Sequence, residues 1–111
     1  MLYEILAKGK LVVCCASQEE RASANNIQYP ARFGDVICVG SQAENGQPAG
    51  FTPAGREVDF LSPGSDVWSA SSNQKATNLV RQASGNYMAV PYIAGVSALL
   101  LAYAEIVGMC F

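Results

Sequence analysis

Two short, unbroken apolar runs, Leu11–Cys15 and Val36–Val39, constrain the fold more than any other feature of this chain. A strand with one solvated face alternates apolar and polar residues. An unbroken run instead suits a strand covered on both faces, as in parallel sheets flanked by helices. A third strand is predicted within Gly55–Leu61, at Val58-Asp59-Phe60-Leu61, where Pro63-Gly64 stops it; Val67–Ala70 reads as a fourth short extended piece. The remaining segments are helical or punctuating. Leu2–Lys8 reads as a short helix ended by Gly9. Ser17–Ala31 is polar and loop-like, Glu44-Asn45-Gly46-Gln47 is a turn, and Ser71–Ala83 is a mobile loop or hairpin.

The main helix is predicted over Asn86–Ala104. Asn86 is placed to cap it, and Pro91 lies near the first turn, where a missing N–H costs little. Ile93, Val96, Leu99, Leu100 and Tyr103 recur at helical spacing, and the small Ala94 and Gly95 would let the helix sit close to the sheet. Helix and strand thus alternate, which is the pattern of an α/β fold with a mostly parallel sheet.

At 111 residues the chain is one domain or less, and residues 1–111 are read as a single partial domain. Half of the residues are hydrophobic and 14% are charged, which suits a piece of a buried α/β core. With a net charge of −2, nothing points to nucleic acid or an anionic membrane surface as a partner. No uninterrupted apolar run approaches the ~18 residues of a membrane span, because Gly95 and Ser97 break the longest, so no membrane partner is expected. Glu4, Lys8 and Lys10 interrupt the N-terminal apolar residues, so no signal peptide is read there and no compartment is assigned. Cys14, Cys15, Cys38 and Cys110 lack Cys-x-x-Cys spacing and the chain has no histidine. They are read as small buried residues rather than metal ligands; neither metal nor cofactor is expected.

One segment carries a chemical signature. Ser84-Gly85-Asn86-Tyr87-Met88-Ala89-Val90-Pro91, followed by the apolar helix, resembles the nucleophile segment of the subtilisin-like serine proteases, Gly-Thr-Ser-Met-Ala-x-Pro. The resemblance extends along the chain. Leu11–Glu20 is similar to that family's buried strand ending in Ala-Ala-Gly-Asn-Glu-Gly. Tyr29-Pro30-Ala31 through Val36–Gly40 resembles its Tyr-Pro-Ala segment and the strand after it. Phe51–Gly55 and Val58–Gly64 resemble its Phe-Ser-x-x-Gly and Asp-x-x-Ala-Pro-Gly segments. In order, these imply the C-terminal half of a subtilisin-like domain, a partial three-layer α/β/α fold. The aspartate and histidine motifs of the family would lie upstream of Met1.

The resemblance also implies roles that the residues here do not fill. Tyr87 stands at the nucleophile position, and a phenol, ordinarily ionising near ~10, needs a base that a chain without histidine does not supply. Gln18 matches the oxyanion asparagine with one added methylene. Ser17 and Glu20 replace glycines of the substrate pocket. Ala16, Ser17, Gly85 and Asn86 would line what remains of the cleft. The expectation is a subtilisin-like domain with no catalysis by this chain alone. The alternatives are a pseudoprotease module that binds a peptide or protein partner, and a fragment of a larger serine endopeptidase completed by its N-terminal half. In such a half-domain, the Leu11–Cys15 edge would be unpaired and the main helix partly uncovered.

Overall fold

A computed structural model describes residues 1–17, 27–53, 55–71 and 79–109. Its elements in chain order are α1 (Leu2–Ala7), β1 (Val13–Cys15), β2 (Ile37–Gln42), β3 (Phe60–Pro63), β4 (Val67–Ala70), β5 (Val80–Ala83) and α2 (Asn86–Ile106). β1, β2 and β3 form a parallel sheet in that order, with Val13 opposite Ile37 and Val39 opposite Phe60. β4 and β5 pair antiparallel, Val67 opposite Ala83, so the end of the polar Ser71–Ala83 stretch is the second strand of a hairpin. Residues 72–78, between the two strands, lie outside those described.

Parallel pairing explains why the apolar runs differ in burial. β2 is central, and Cys38, Val39, Gly40 and Ser41 along it are all buried. β1 carries the longer apolar run yet is only half-buried, and Leu11 before it is 53% exposed. The expectation of a strand covered on both faces therefore holds for β2 and fails for β1, because β1 is the edge of the sheet. Two-residue alternation puts Cys14, Ala16 and Cys38 on one face, where they pack with Ile27, Ala31 and Val58. Before β3 begins, the Asp59 carboxylate accepts the Cys38 N–H at 2.9 Å while the Asp59 N–H donates to the Cys38 carbonyl at 2.9 Å. The side chain thus extends the ladder by one rung at the strand's start.

α2 lies across all three parallel strands. Only Asn86, Ala89 and Ala104 of it are buried. Ala94 and Gly95 are exposed, so the close approach to the sheet is made one turn earlier, at Ala89, rather than at the pair expected from the sequence. The apolar stripe is also outward: Val96, Leu99, Leu100 and Tyr103 are all more than half exposed. Pro91 sits in the second turn, where it denies the Tyr87 carbonyl its usual i+4 donor, and not in the first turn. By length and composition alone α2 could also cross a membrane; its charged groups are confined to Glu105. Counting uninterrupted apolar runs missed this, because glycine, alanine, serine and tyrosine dilute the run without making it polar.

Candidate functional site

The carboxyl ends of parallel strands are where α/β folds expose binding groups. Here the ends of β2 and β3 meet the start of α2. The turn residue Gly85 has φ 156° and ψ 159°, a region open only to glycine, and an added Cβ would strike the Tyr87 ring. Its N–H donates to the Gly64 carbonyl at 2.9 Å, and its carbonyl accepts the Ser41 hydroxyl at 3.0 Å. Gly64 allows this approach because a Cβ there would run into the Ser41 side chain.

Asn86 is the centre of the arrangement. It does not cap the helix; Gly85 occupies the cap position, and no side-chain cap bond forms. The Asn86 side chain is instead 2% exposed and points into the fold. Its Oδ1 accepts the Ser41 N–H at 3.0 Å and faces the Thr52 hydroxyl at 2.9 Å. Its Nδ2 donates to the Ser17 carbonyl at 3.1 Å and the Phe51 carbonyl at 3.2 Å. A carboxamide has two donor hydrogens and two acceptor lone pairs, and all of them are engaged. One side chain thereby ties the helix head to the end of β1, to β2 and to the 49–53 loop. The Thr52 hydroxyl, also 3.0 Å from the Ser41 carbonyl, has one proton and serves one of its two acceptors at a time.

Tyr87 follows directly and is 52% exposed. With Val90 one turn on, it forms one wall of an open cleft of about 320 Å³. The opposite wall is Gln28, Tyr29, Pro30 and Ala31, and Cys14, Cys15 and Ser17 line the rest. Of the residues that the sequence pointed to, Tyr87 and Ser17 line this cleft. Asn86 and Gly85 lie behind it as its support. Ala16 is fully buried in the core, its N–H donating to Val39 at 2.8 Å. Gln18, like Glu20, lies outside the described residues. Tyr29, Pro30, Cys15 and Val90 were not singled out as site residues. Their signal was present in the Tyr-Pro-Ala segment and in the residue one turn beyond Tyr87.

The cleft's chemistry is sparse. Among the described residues no three His, Cys, Asp or Glu side chains gather into a metal-binding group. Burial raises the Cys14 thiol above its ordinary value, and the neighbouring Cys15 adds to the effect. The Cys38 thiol beneath is pushed up to about 11, first by burial and then by the Asp59 carboxylate. Neither group is a ready thiolate at neutral pH.

A parallel sheet whose strand ends meet a glycine turn and a helix head defines an α/β domain with an open cleft beside Tyr87. The comparisons narrow this further. The profile of the Subtilase family matches residues 2–107, and the chain belongs to that family. It is 34% identical over 99 residues to the major intracellular serine protease of Bacillus subtilis (strain 168), covering 87% of this chain and 30% of that protein. It is 36% identical over 96 residues to subtilisin DY of Bacillus licheniformis, covering 86% of this chain and 34% of that protein. The chain thus spans about a third of the length of these relatives. Among solved structures, the self-cleaved protease domain of PatA superposes with a TM-score of 0.82 at 25% identity, over 97% of this chain and 39% of that one. The prenylagaramide maturation protease PagA shares the fold, with a TM-score of 0.83 at 24% identity over 98% of this chain and 38% of that one. The structure is a partial subtilisin-like α/β domain.

Proposed function

We propose that this chain carries the scaffold of a subtilase protease domain without its hydrolytic chemistry. The observation that supports this reading is Tyr87, half-exposed at the head of α2 in a chain that contains no histidine. Attack on a peptide carbonyl needs an activated nucleophile, and a phenol without a neighbouring base is not one. The groups around it are the Cys14 thiol, kept protonated by burial, and an aromatic, apolar wall. The glycine turn and the parallel sheet beneath are kept, by contrast, and Asn86, at the position the resemblance gives to threonine, holds the helix head to them.

The test is labelling with a fluorophosphonate probe together with a fluorogenic peptide assay on the purified chain. No covalent adduct and no turnover above buffer are expected. A fluorophosphonate adduct on any residue of the 84–91 segment would sink the proposal.

A second reading is favoured by the cleft itself. Tyr29, Pro30, Val90 and Tyr87 offer an apolar slot suited to one side chain of a bound peptide. Binding of extended peptides with an apolar residue, weakened by Val90→Asp, is the expected behaviour of a non-catalytic binding module. Equal retention by Val90→Asp would count against it.

A further inference from the structure

We propose that Asn45 is a site of spontaneous deamidation, in which the Gly46 nitrogen closes a succinimide ring on the Asn45 side chain, and that the isoaspartate formed there loosens the arm of chain that holds Asn86. This stands apart from the proposed lack of catalysis, because no residue of the cleft takes part.

The sequence narrows the choice to one position. Asparagine is among the chemically labile residues. Ring closure needs the following backbone nitrogen to reach the side-chain carbonyl carbon, and a side chain on the following residue obstructs that approach. Asn45 is the only asparagine of this chain that is followed by glycine.

The structure puts this pair in an exposed turn. Glu44 through Pro48 are exposed, between the end of β2 and the buried Ala49. Gly46 has φ 81°, and a Cβ added there would find nothing closer than Gln42 Nε2 at 3.7 Å, so the nitrogen is open to approach. The Gln47 N–H donates to Asn45 Oδ1 at 3.0 Å. Oδ1 is the atom that gains negative charge as the ring closes, and a donor already in place stabilises that charge. One bond opposes the reaction. The Gly46 N–H donates to the Ala43 carbonyl at 3.0 Å and must first be released. An exposed turn opens locally at little free-energy cost.

The reaction needs only water and hydroxide. Hydroxide takes the Gly46 N–H proton, and the nitrogen attacks Asn45 Cγ. The Cγ–Nδ2 bond breaks, and Nδ2 leaves as ammonia with a proton from water, which restores the hydroxide. Water then opens the ring. Addition at Cγ gives aspartate; addition at the main-chain carbonyl carbon gives isoaspartate, whose main chain runs through Cβ and Cγ. Either product adds one negative charge, beside Glu44, to a chain of net charge −2.

The turn also ties β2 to the arm that returns from it. The Ala43 N–H donates to the Gln47 carbonyl at 2.8 Å, and the Ala49 N–H donates to the Ser41 carbonyl at 2.9 Å. Just beyond Ala49, the same arm presents the Phe51 carbonyl and the Thr52 hydroxyl to Asn86. The methylene that isoaspartate inserts into the main chain lies inside the Ala43–Gln47 closure and breaks it.

The experiment incubates the purified chain at neutral and mildly alkaline pH, folded and in urea, and maps peptides by fragmentation mass spectrometry that separates aspartate from isoaspartate. Asn45 is expected to convert before any other asparagine, to give both products, and to react faster as pH rises. Its rate in the fold is expected within about tenfold of its rate in urea, because only a local opening is needed. Asn45→Ser is expected to remove the fast conversion. In the deamidated fraction, isolated by anion exchange, the Ala43 and Ala49 amides are expected to exchange hydrogen faster than in the fresh chain. Earlier conversion of another asparagine, aspartate without isoaspartate, or an Asn45 that stays intact in the fold overturns the site. Unchanged exchange at both amides overturns the loosening. Peptidase activity is no part of the readout, so the proposed lack of catalysis stands or falls separately.

Discussion

Replacing Asn86 tests the reading of the site most directly, because its four partners do not lose equally. In Asn86→Ala the Ser41 N–H keeps the Thr52 Oγ1, 2.9 Å away, and the Thr52 proton can turn to the Ser41 carbonyl. The acceptor half of the amide is therefore replaceable in place. The donor half is not: the Ser17 and Phe51 carbonyls lose Nδ2 and are left short of a donor. At about 1–3 kcal/mol for each buried group left unpaired, the expected loss for the two is about 2–6 kcal/mol. With a urea slope of about 1–3 kcal/mol per molar, this lowers the unfolding midpoint by about 1 M or more. Asn86→Asp is the sharper variant. It keeps the shape but turns a carboxylate oxygen toward the same two carbonyls, at a site 2% exposed. Burial and repulsion raise the pKa of such a carboxyl in the folded state above its unfolded value. The folded state then binds the proton more tightly, so the variant is most stable below the unfolded pKa and loses stability as pH rises through the folded one. Urea unfolding followed by far-ultraviolet dichroism, at neutral and at mildly acidic pH, reads both effects. An Asn86→Ala midpoint equal to the parent, or an Asn86→Asp deficit unchanged by acid, would refute the reasoning.

Other outcomes follow from the same geometry. Gly85→Ala is expected to destabilise by about 1–3 kcal/mol, since φ 156° is closed to alanine, and a melting curve that matches the parent would contradict this. Tyr87→Ser is expected to remain inactive on fluorogenic peptides, because a serine without a base is not activated; turnover well above buffer would show that a base is present. Cys38 is expected to resist a thiol reagent at neutral pH until the chain unfolds, its thiol lying at about 11 and its side chain fully buried. The raised thiol contributes stability below its unfolded value of 9.0, lost as pH climbs toward about 11; a flat stability profile between those values would contradict the assignment.

Gly64, Gly85, Ser41 and Asn86 serve backbone approach and hydrogen-bond closure at the head of α2. Tyr87 stands half-exposed on this framework. A helix head can be held to close tolerance without regard to the side chain that it presents, because the holding is done by its neighbours.

Local features of the fold were legible in the sequence because local chemistry sets them. Apolar runs specified all of β1 and the first half of β2, Pro63-Gly64 marked the end of β3, and helical spacing specified α2 to within two residues of its end. The ordered segments from Leu11 to Pro91 carried the family, since each motif reflects a turn or a close approach that few residues permit. What the sequence could not carry is which of two equally apolar strands is central. Leu11–Cys15 and Val36–Val39 read alike, and only pairing order leaves β1 at the edge and β2 buried. Nor could it place Asn86, whose type suits a helix cap and whose position in the chain fits one. Its four partners, backbone groups of residues 17, 41 and 51 and the Thr52 hydroxyl, lie 34 to 69 residues away in sequence, and only the assembled sheet brings them within reach of one amide. Periodicity reports which face of an element is apolar; what covers that face is decided by the rest of the fold.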